Sequence, residues 1–332
     1  TARPKGVWTP VSDRKIRVGI VGGGFGAGFD FHQHPNVTVT AVSDLIPAKC
    51  RLLSEVHQCK KTYPSLEELV KDDTIEAVFV ATDAPSHVKH CIEVLKHGKY
   101  VASAVPAVWG SLEEAERLLE AVKAADAKKY MMFETSAFHD DCYAMRQIYQ
   151  AGGFGKLVYS EGEYYHYMSE PIESFKDWRV GLPPQWYPTH STAYYVNVSG
   201  GSFTEVSCLG MPSIIDHLKP ENNRYKNPFG SEIALLRTSE GGMSRMAVCW
   251  DMCGAGGEMG RVYGQLGSML GMNYSGQSKS LPDLGRPPLP PHVTPGGHGG
   301  SHGPLVNEFI TAILEDRKPI VDIIAALNMT VA

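Results

Sequence analysis

No stretch of this sequence stays apolar for the length of a membrane span, and no run of basic residues marks a nucleic-acid surface. A formal net charge of −5 likewise argues against a polyanionic partner. Paired cysteine spacing is missing as well. Seven cysteines, an odd number, are scattered at Cys50, Cys59, Cys91, Cys142, Cys208, Cys249 and Cys253, which points to reduced residues rather than a disulfide framework. Cys249 and Cys253 lack a matching second pair, so no zinc site is expected. No internal repeat is found. The numbering opens at Thr1 without a signal-peptide pattern; the expected compartment is cytoplasmic by default, or a bacterial periplasm if a leader was removed.

What is present is enough apolar residue, 43% of 332, to build two domains with real cores. The informative stretch is Val18 to Phe29, VGIVGGGFGAGF, in which β-prone residues run into Gly22, Gly24, Gly26 and Gly28. It predicts a first strand, a phosphate-binding turn and a helix. Gly22 permits the tight turn, Gly24 lets backbone approach a pyrophosphate, and Ala27 takes the third position, where the helix packs on the strand. Phe25 and Gly26 lie inside the same turn. A second strand, Val37 to Val42, leads to Asp44, whose carboxylate suits ribose hydroxyls and repels a 2′-phosphate; no Lys or Arg follows within four residues, so NAD is expected over NADP.

Alternation continues. Pro47 to Val56 has helical spacing, Ser65 caps a short helix, and Ile75 to Ala81 is a buried parallel strand ending at Thr82, with Pro85 and His87 just beyond it. Ser86 is expected to cap the helix that ends at His97. Tyr100 to Ala104 is the next strand, followed by Val105 and Pro106. Ser111 then opens the helix Leu112 to Ala125, and Tyr130 to Phe133 completes a doubly wound parallel sheet. Thr82, Pro85, His87, Val105 and Pro106 join the glycine turn and Asp44 as candidate cofactor contacts. After Glu134 the pattern changes. Strand-like stretches at Leu157 to Tyr167, Glu232 to Thr238, Met243 to Trp250 and Arg261 to Met269, with few helices between them, predict an α+β domain on a large open, mostly antiparallel sheet. The expected organisation is an arm over 1–14, a Rossmann domain over 15–135 and a substrate domain over 136–332. Long irregular stretches at 170–187 and 273–303, rich in Pro and Gly, are candidate functional loops.

Several side chains fall where chemistry could use them. Tyr164 and His166 are two apart on a strand and share a face, although a sheet face packed with aromatics would look the same. Tyr187 and His190 flank Pro188 on an expected loop, and a histidine there is a plausible proton acceptor. Glu134 ends a parallel strand at its carboxyl edge, where it serves either a ligand or the following helix as a cap. Trp178 and Trp186 have faces that suit sugar C–H surfaces, although most tryptophans are core or interface residues. His298 and His302 are four apart, but the glycines around them are not helical. No metal is expected there; the loop instead closes over cofactor or sugar.

With these motifs in view, the chain resembles the Gfo/Idh/MocA superfamily (glucose–fructose oxidoreductase, inositol dehydrogenase) from Lys15 onward. Most members carry E-K-P after the fifth strand; here Ala104-Val105-Pro106 stands there and the lysine is missing. The resemblance is closer to the branch of NAD-dependent glycosidases typified by bacterial α-N-acetylgalactosaminidases. That branch shares Val105-Pro106-Ala107, the acid Glu134, the strand Glu161-Gly162-Glu163-Tyr164-Tyr165-His166, the pair Trp178-Arg179, Tyr187-Pro188-Thr189-His190, and the glycine loop around His298. The segment between His166 and Tyr187 is shorter here, and Ser191-Thr192-Ala193 replaces a glycine-containing continuation, so substrate identity does not transfer. The resemblance implies a Rossmann domain with tightly held NAD, a sugar or glycoside substrate lying over the nicotinamide, and a homo-oligomer. It implies His190, Tyr187, Tyr164 and Glu134 as catalytic, and His166, Trp178, Arg179 and His298 as sugar contacts. The implied reaction is oxidation at C3, elimination of the C1 substituent, hydration and re-reduction. A net sugar oxidoreductase or a non-catalytic NAD-binding protein are the alternatives.

Overall fold

The computed structural model describes residues 6–254 and 256–332, so residues 1–5 of the expected arm lie outside the described residues. The chain divides into two compact units, one holding the residues up to Phe138 together with Pro287–Leu327, the other His139–Arg286 with Asn328–Ala332.

The first unit is built on six parallel strands, β1 (Ile16–Val21), β2 (Val37–Ser43), β3 (Thr62–Tyr63), β4 (Ala77–Val80), β5 (Tyr100–Ser103) and β6 (Tyr130–Met132), in the order β3-β2-β1-β4-β5-β6. Ile16, Val18, Ile20 and all of β4 have no exposed surface, as continuous apolar strands between helical layers should. Ser111 accepts the Glu114 N–H at 3.2 Å and opens the helix Leu112–Ala125 as expected; Ser65 does the same for Glu68. Ser86 does not cap. Its hydroxyl donates to Asp83 Oδ2, and the helix is His87–Lys96.

The helix expected after the glycine turn is absent. Gly26–Gly28 makes one 3-10 turn, Phe31–Gln33 another, and the chain enters β2. Each glycine there costs a helix about 1 kcal/mol relative to alanine. Phe29 and Phe31 bury completely instead, their rings 5.0 and 5.4 Å from Phe79 and 5.5 and 6.1 Å from Phe133. The segment Pro287–Leu327, expected in the second domain, belongs to this first unit because its aromatics complete the same core: Phe309 packs 5.9 Å from Phe133, and His302 stacks on Phe29 at 4.0 Å.

The second unit is a seven-stranded sheet in the order β13-β12-β11-β7-β10-β9-β8. Its strands are β7 (Leu157–Tyr165), β8 (Phe203–Pro212), β9 (Phe229–Thr238), β10 (Met243–Cys249), β11 (Gly257–Gly264), β12 (Gly267–Leu270) and β13 (Asn273–Gly276). Only β7 and β10 run parallel; the other neighbours are antiparallel. The single strand expected over Arg261 to Met269 is a hairpin of β11 and β12, and β8 is an edge strand that alternation did not announce. The loop expected around His190 is instead the start of a helix, Thr189–Ser199, buried from Thr189 to Val198.

That helix lies on the sheet because two glycines face each other beneath it. Gly162 on β7 pairs with Gly260 on β11. A Cβ on Gly162 would sit 1.7 Å from the Ser191 carbonyl oxygen, and one on Gly260 would sit 2.0 Å from the Tyr194 ring. No side chain larger than hydrogen fits at either position, so the helix approaches the sheet as closely as its backbone and the Tyr194 ring allow.

Candidate functional site

The glycine turn has the shape its sequence promised. Gly22 holds φ +102°, and a Cβ there would meet the Ala81 carbonyl oxygen at 2.1 Å. Nothing lies within 4 Å of a Cβ built on Gly24, which leaves the open approach that a pyrophosphate requires. Asp44, at the end of β2, uses Oδ2 to accept the Gly23 N–H at 2.6 Å and Oδ1 to accept the Ile46 N–H at 2.7 Å. The carboxylate is thereby fixed beside the turn, and each oxygen keeps lone-pair capacity for a ribose hydroxyl. The residues present therefore fit an adenine dinucleotide.

Without a helix to satisfy them, the turn's carbonyls take hydrogen bonds from imidazoles. His57 Nε2 lies 3.2 Å from the Gly26 oxygen and His302 Nδ1 lies 2.7 Å from the Gly28 oxygen. His302 Nε2 is in turn 2.8 Å from His298 Nδ1, and both rings meet Phe25 edge-on, at 5.8 and 5.5 Å. His298, expected as a sugar contact, thus sits against the glycine turn. Burial pulls the His57 pKa down to about 4, with the Gly26 bond opposing; His34, bonded to Asn307, falls to about 4 for the same reason. His57 had no motif to flag it.

At the carboxyl ends of β4 and β5 the remaining cofactor candidates brace one another. Buried His87 has Nδ1 2.8 Å from the Pro106 oxygen and Nε2 3.1 Å from the Thr82 oxygen, tying the two turns together. Thr82 Oγ1 meets His90 Nδ1 at 2.9 Å, Pro85 lies in the 3-10 turn Ala84–Ser86, and the Val105–Pro106 peptide is cis. Glu134 is fully buried just beyond β6, where its Oε1 accepts the Ser136 N–H at 3.0 Å and so caps the following turn.

The second unit gathers the other candidates into one cluster. Tyr164 projects from the face of β7 that carries the helix. Its ring centre is 4.5 Å from His190, 5.9 Å from Tyr187 and 5.6 Å from Trp250, and its hydroxyl is 3.2 Å from His166 Nδ1. Tyr187 lies 5.4 Å from His190 and stacks on Trp178 at 6.3 Å. The Arg179 guanidinium covers both rings, 4.5 Å from Trp178 and 5.6 Å from Tyr187. Burial lowers the His166 pKa, and the charges of Arg179 and His190 lower it further. Tyr187 and His190 are 5% and 3% exposed. The irregular stretch carrying Trp178 is held by Tyr225, whose hydroxyl donates to the Trp178 oxygen at 2.7 Å, and by Gln185, whose N–H donates to Glu232 Oε2 at 2.8 Å. Trp186, for which packing and a sugar-facing surface were both open, packs edge-on against Tyr225 at 5.6 Å.

Three members of this cluster were not read from the sequence. Glu258 on β11 places Oε2 3.3 Å from His139 Nε2 and 3.7 Å from His190 Nδ1. Tyr194 donates its hydroxyl to the Glu258 carbonyl at 3.3 Å and lies equally far from His139 Nδ1. The signal was present. Glu258 is in phase with Gly260 and Val262, both buried, so an acid stands on the face of β11 that turns inward.

The profile of a family described as "Oxidoreductase family, NAD-binding Rossmann fold", Gfo/Idh/MocA, matches residues 16–133. Two similar curated proteins are named as glycosyl hydrolase family 109. One, from Bacteroides fragilis, is 26% identical over 183 residues, 50% of this chain and 38% of that protein. The other, from Solibacter usitatus, is 24% identical over 262 residues, 68% of this chain and 59% of that protein. The chain thus spans about half the length of the curated relatives it matches. Among solved structures, an NAD-binding oxidoreductase from Klebsiella pneumoniae superposes with a TM-score of 0.76 at 17% identity, covering 96% of this chain and 94% of its own, a likeness of fold.

Proposed function

We propose that this chain, whose residues 16–133 match the Gfo/Idh/MocA oxidoreductase family with its NAD-binding Rossmann fold, is an NAD-dependent carbohydrate enzyme that cleaves a glycosidic bond through transient oxidation of the sugar. The observation that carries the reading is the cluster of Tyr164, His166, Trp178, Arg179, Tyr187 and His190, six residues from three separated stretches in mutual contact. Two tyrosines and two histidines so placed can exchange protons with vicinal hydroxyls and C–H groups, while flat aromatic and guanidinium surfaces suit a sugar ring. Curated relatives that carry a glycosyl hydrolase name support the same reading.

Held by the turn at Gly22 and Gly24 and by Asp44, NAD would supply the hydride acceptor for sugar C3 and, once reduced, the donor that restores it, with no net redox change. His190, or Tyr187 beside it, accepts the C3 hydroxyl proton. The ketone so formed acidifies the C2 proton, which Tyr164 removes as the C1 substituent leaves; water then adds at C1 and a proton returns to C2 before the C3 ketone is reduced again. Arg179 and His166 hold sugar oxygens, and Trp178 supports Arg179 from behind. Val105 stands where most of the family has lysine, so the proton work falls on this cluster. Glu134 and His298 remain candidates on the cofactor unit.

A homo-oligomer is part of the proposal. The sheet face opposite the helix Thr189–Ser199 exposes Leu209 (82%), Leu235, Ile233, Met243 and Met259, apolar area of the kind that a second subunit covers.

A panel of aryl glycosides, incubated with and without added NAD in deuterated water, tests the reaction. The expected result is release of the aglycone with deuterium at C2 of the product. Sugar oxidation without aglycone release overturns the glycosidase reading in favour of a net oxidoreductase; no change in any sugar overturns both.

A further inference from the structure

Glu258 does something in the second unit that no motif announces. Its side chain is only 6% exposed, and a carboxylate so buried needs charged or hydrogen-bonding partners to persist. Within this unit those partners are His139 Nε2 at 3.3 Å and His190 Nδ1 at 3.7 Å. Its backbone is pinned too, since the Glu258 carbonyl accepts the Tyr194 hydroxyl and Glu258 sits in register opposite Tyr164.

We propose that Glu258 is the positioning residue of His190, holding the imidazole with its proton on Nδ1 so that Nε2 carries the lone pair that accepts the substrate proton. This rests on the function proposed above. A neutral imidazole has one donor and one acceptor nitrogen, and a carboxylate beside Nδ1 selects the tautomer protonated there. The carboxylate also stabilises the imidazolium that forms once Nε2 has taken a proton, which strengthens the base. Geometry assigns this role to a strand distant in sequence from His190. The second histidine, His139, shares Glu258 and leans on Tyr194 through Nδ1, which fixes the carboxylate laterally. The other titratable groups of the unit that face this cluster are Tyr164 and His166 on the β7 side, Tyr187 before the helix, and Asp141 beside His139.

The test uses the full chain labelled with ¹⁵N-histidine, with His190→Gln assigning the His190 resonances. In the wild type His190 is expected as the Nδ1–H tautomer; protonation on Nε2 overturns the proposal, whatever the variants do. Glu258→Gln should mix the tautomers and lower the His190 titration midpoint by about one unit, since a neighbouring opposite charge is worth about 1–3 units. Glu258→Asp keeps the charge and should keep the Nδ1–H tautomer. If Asp and Gln variants behave alike, volume rather than charge holds His190 and the proposal falls. On any glycoside the wild type turns over, Glu258→Gln should lower kcat by about 10² or more with KM little changed, and should move the acid limb of its pH profile downward. An unchanged His190 in Glu258→Gln refutes the positioning role even where wild type cleaves glycosides. A shifted His190 in a protein that converts no sugar leaves the positioning role standing and refutes the function instead.

Discussion

His57 ties a loop of the first unit to the oxygen of Gly26, and its burial makes an acid-sensitive hold on the glycine turn. The ring is 2% exposed and its pKa is lowered from 6.5 to about 4 by desolvation. A histidine whose folded pKa is depressed contributes fully above the unfolded pKa, and that contribution is lost as pH falls toward the folded pKa. In the window from 6.5 down to 4 the unfolded chain binds a proton that the folded chain refuses, so stability rises with pH there. The linkage amounts to about 1.4 kcal/mol lost by pH 5.5 and about 2.5 kcal/mol by pH 4.5, approaching about 3 kcal/mol below that. Glu cannot stand in for it, but Gln can, because its amide still donates toward the Gly26 oxygen and does not titrate. Urea unfolding of wild type and His57→Gln at pH 7.5, 5.5 and 4.5, without added NAD, reads the difference. The wild type should lose more stability than the variant between the first and last conditions, by roughly 2.5 kcal/mol. Parallel pH dependences in the two proteins would refute the reasoning, because they would mean that His57 is protonated as easily folded as unfolded.

Other outcomes follow from features already described. NAD should bind well ahead of NADP in calorimetric titration, and Asp44→Ala should erase much of that preference by removing the charge that repels a 2′-phosphate; equal affinities in the wild type would count against the role of Asp44. His190→Gln should cut turnover by about 10² to 10⁴ while NAD titrates normally, and a 3-keto glycoside should partly rescue the variant by bypassing the first oxidation. Gly162→Ala should destabilise the second unit by about 1–3 kcal/mol or more, because the new methyl meets a backbone carbonyl rather than a flexible side chain; an unaltered melting profile would contradict the contact at 1.7 Å. Light scattering should give a mass above 36.3 kDa at micromolar concentration, and Leu209→Lys should reduce it if the exposed sheet face is the contact.

Much of this architecture was legible from the sequence because it rests on local chemistry. The alternating strands and helices up to Tyr130 are carried by apolar runs and serine caps, and Asp44 is where the second strand had to deliver it. Tyr164 and His166 were legible as a pair because strand periodicity alone places them on one face. The helix Thr189–Ser199 was not legible as a helix: it is buried on every side, so it shows no polar stripe for periodicity to find, and His190 read as a loop residue. The strand β8 was missed for the opposite reason, since an edge exposed along nearly its whole length shows no alternation. The glycine fingerprint suggested a helix that glycine itself disfavours once Phe29 and Phe31 have a core to enter. Glu258 stayed hidden because its partners, His139 and His190, come from separate stretches of chain, and only tertiary pairing brings them together.

The first unit finishes only with Pro287–Leu327, so its aromatic core is interrupted by His139–Arg286, nearly all of the second unit, in the order of synthesis. A chain emerging residue by residue presents Phe29 and Phe133 long before Phe309 and His302 exist to cover them, while His139–Arg286 emerges complete but for its last few residues. Domains made first generally fold first, but here the earlier one must wait with part of its apolar surface open while the inserted one closes. The period of greatest exposure to aggregation, and to capture by chaperones, is therefore the interval between translation of Phe133 and of Phe309. Truncations ending before Pro287 should be far less soluble than the full chain.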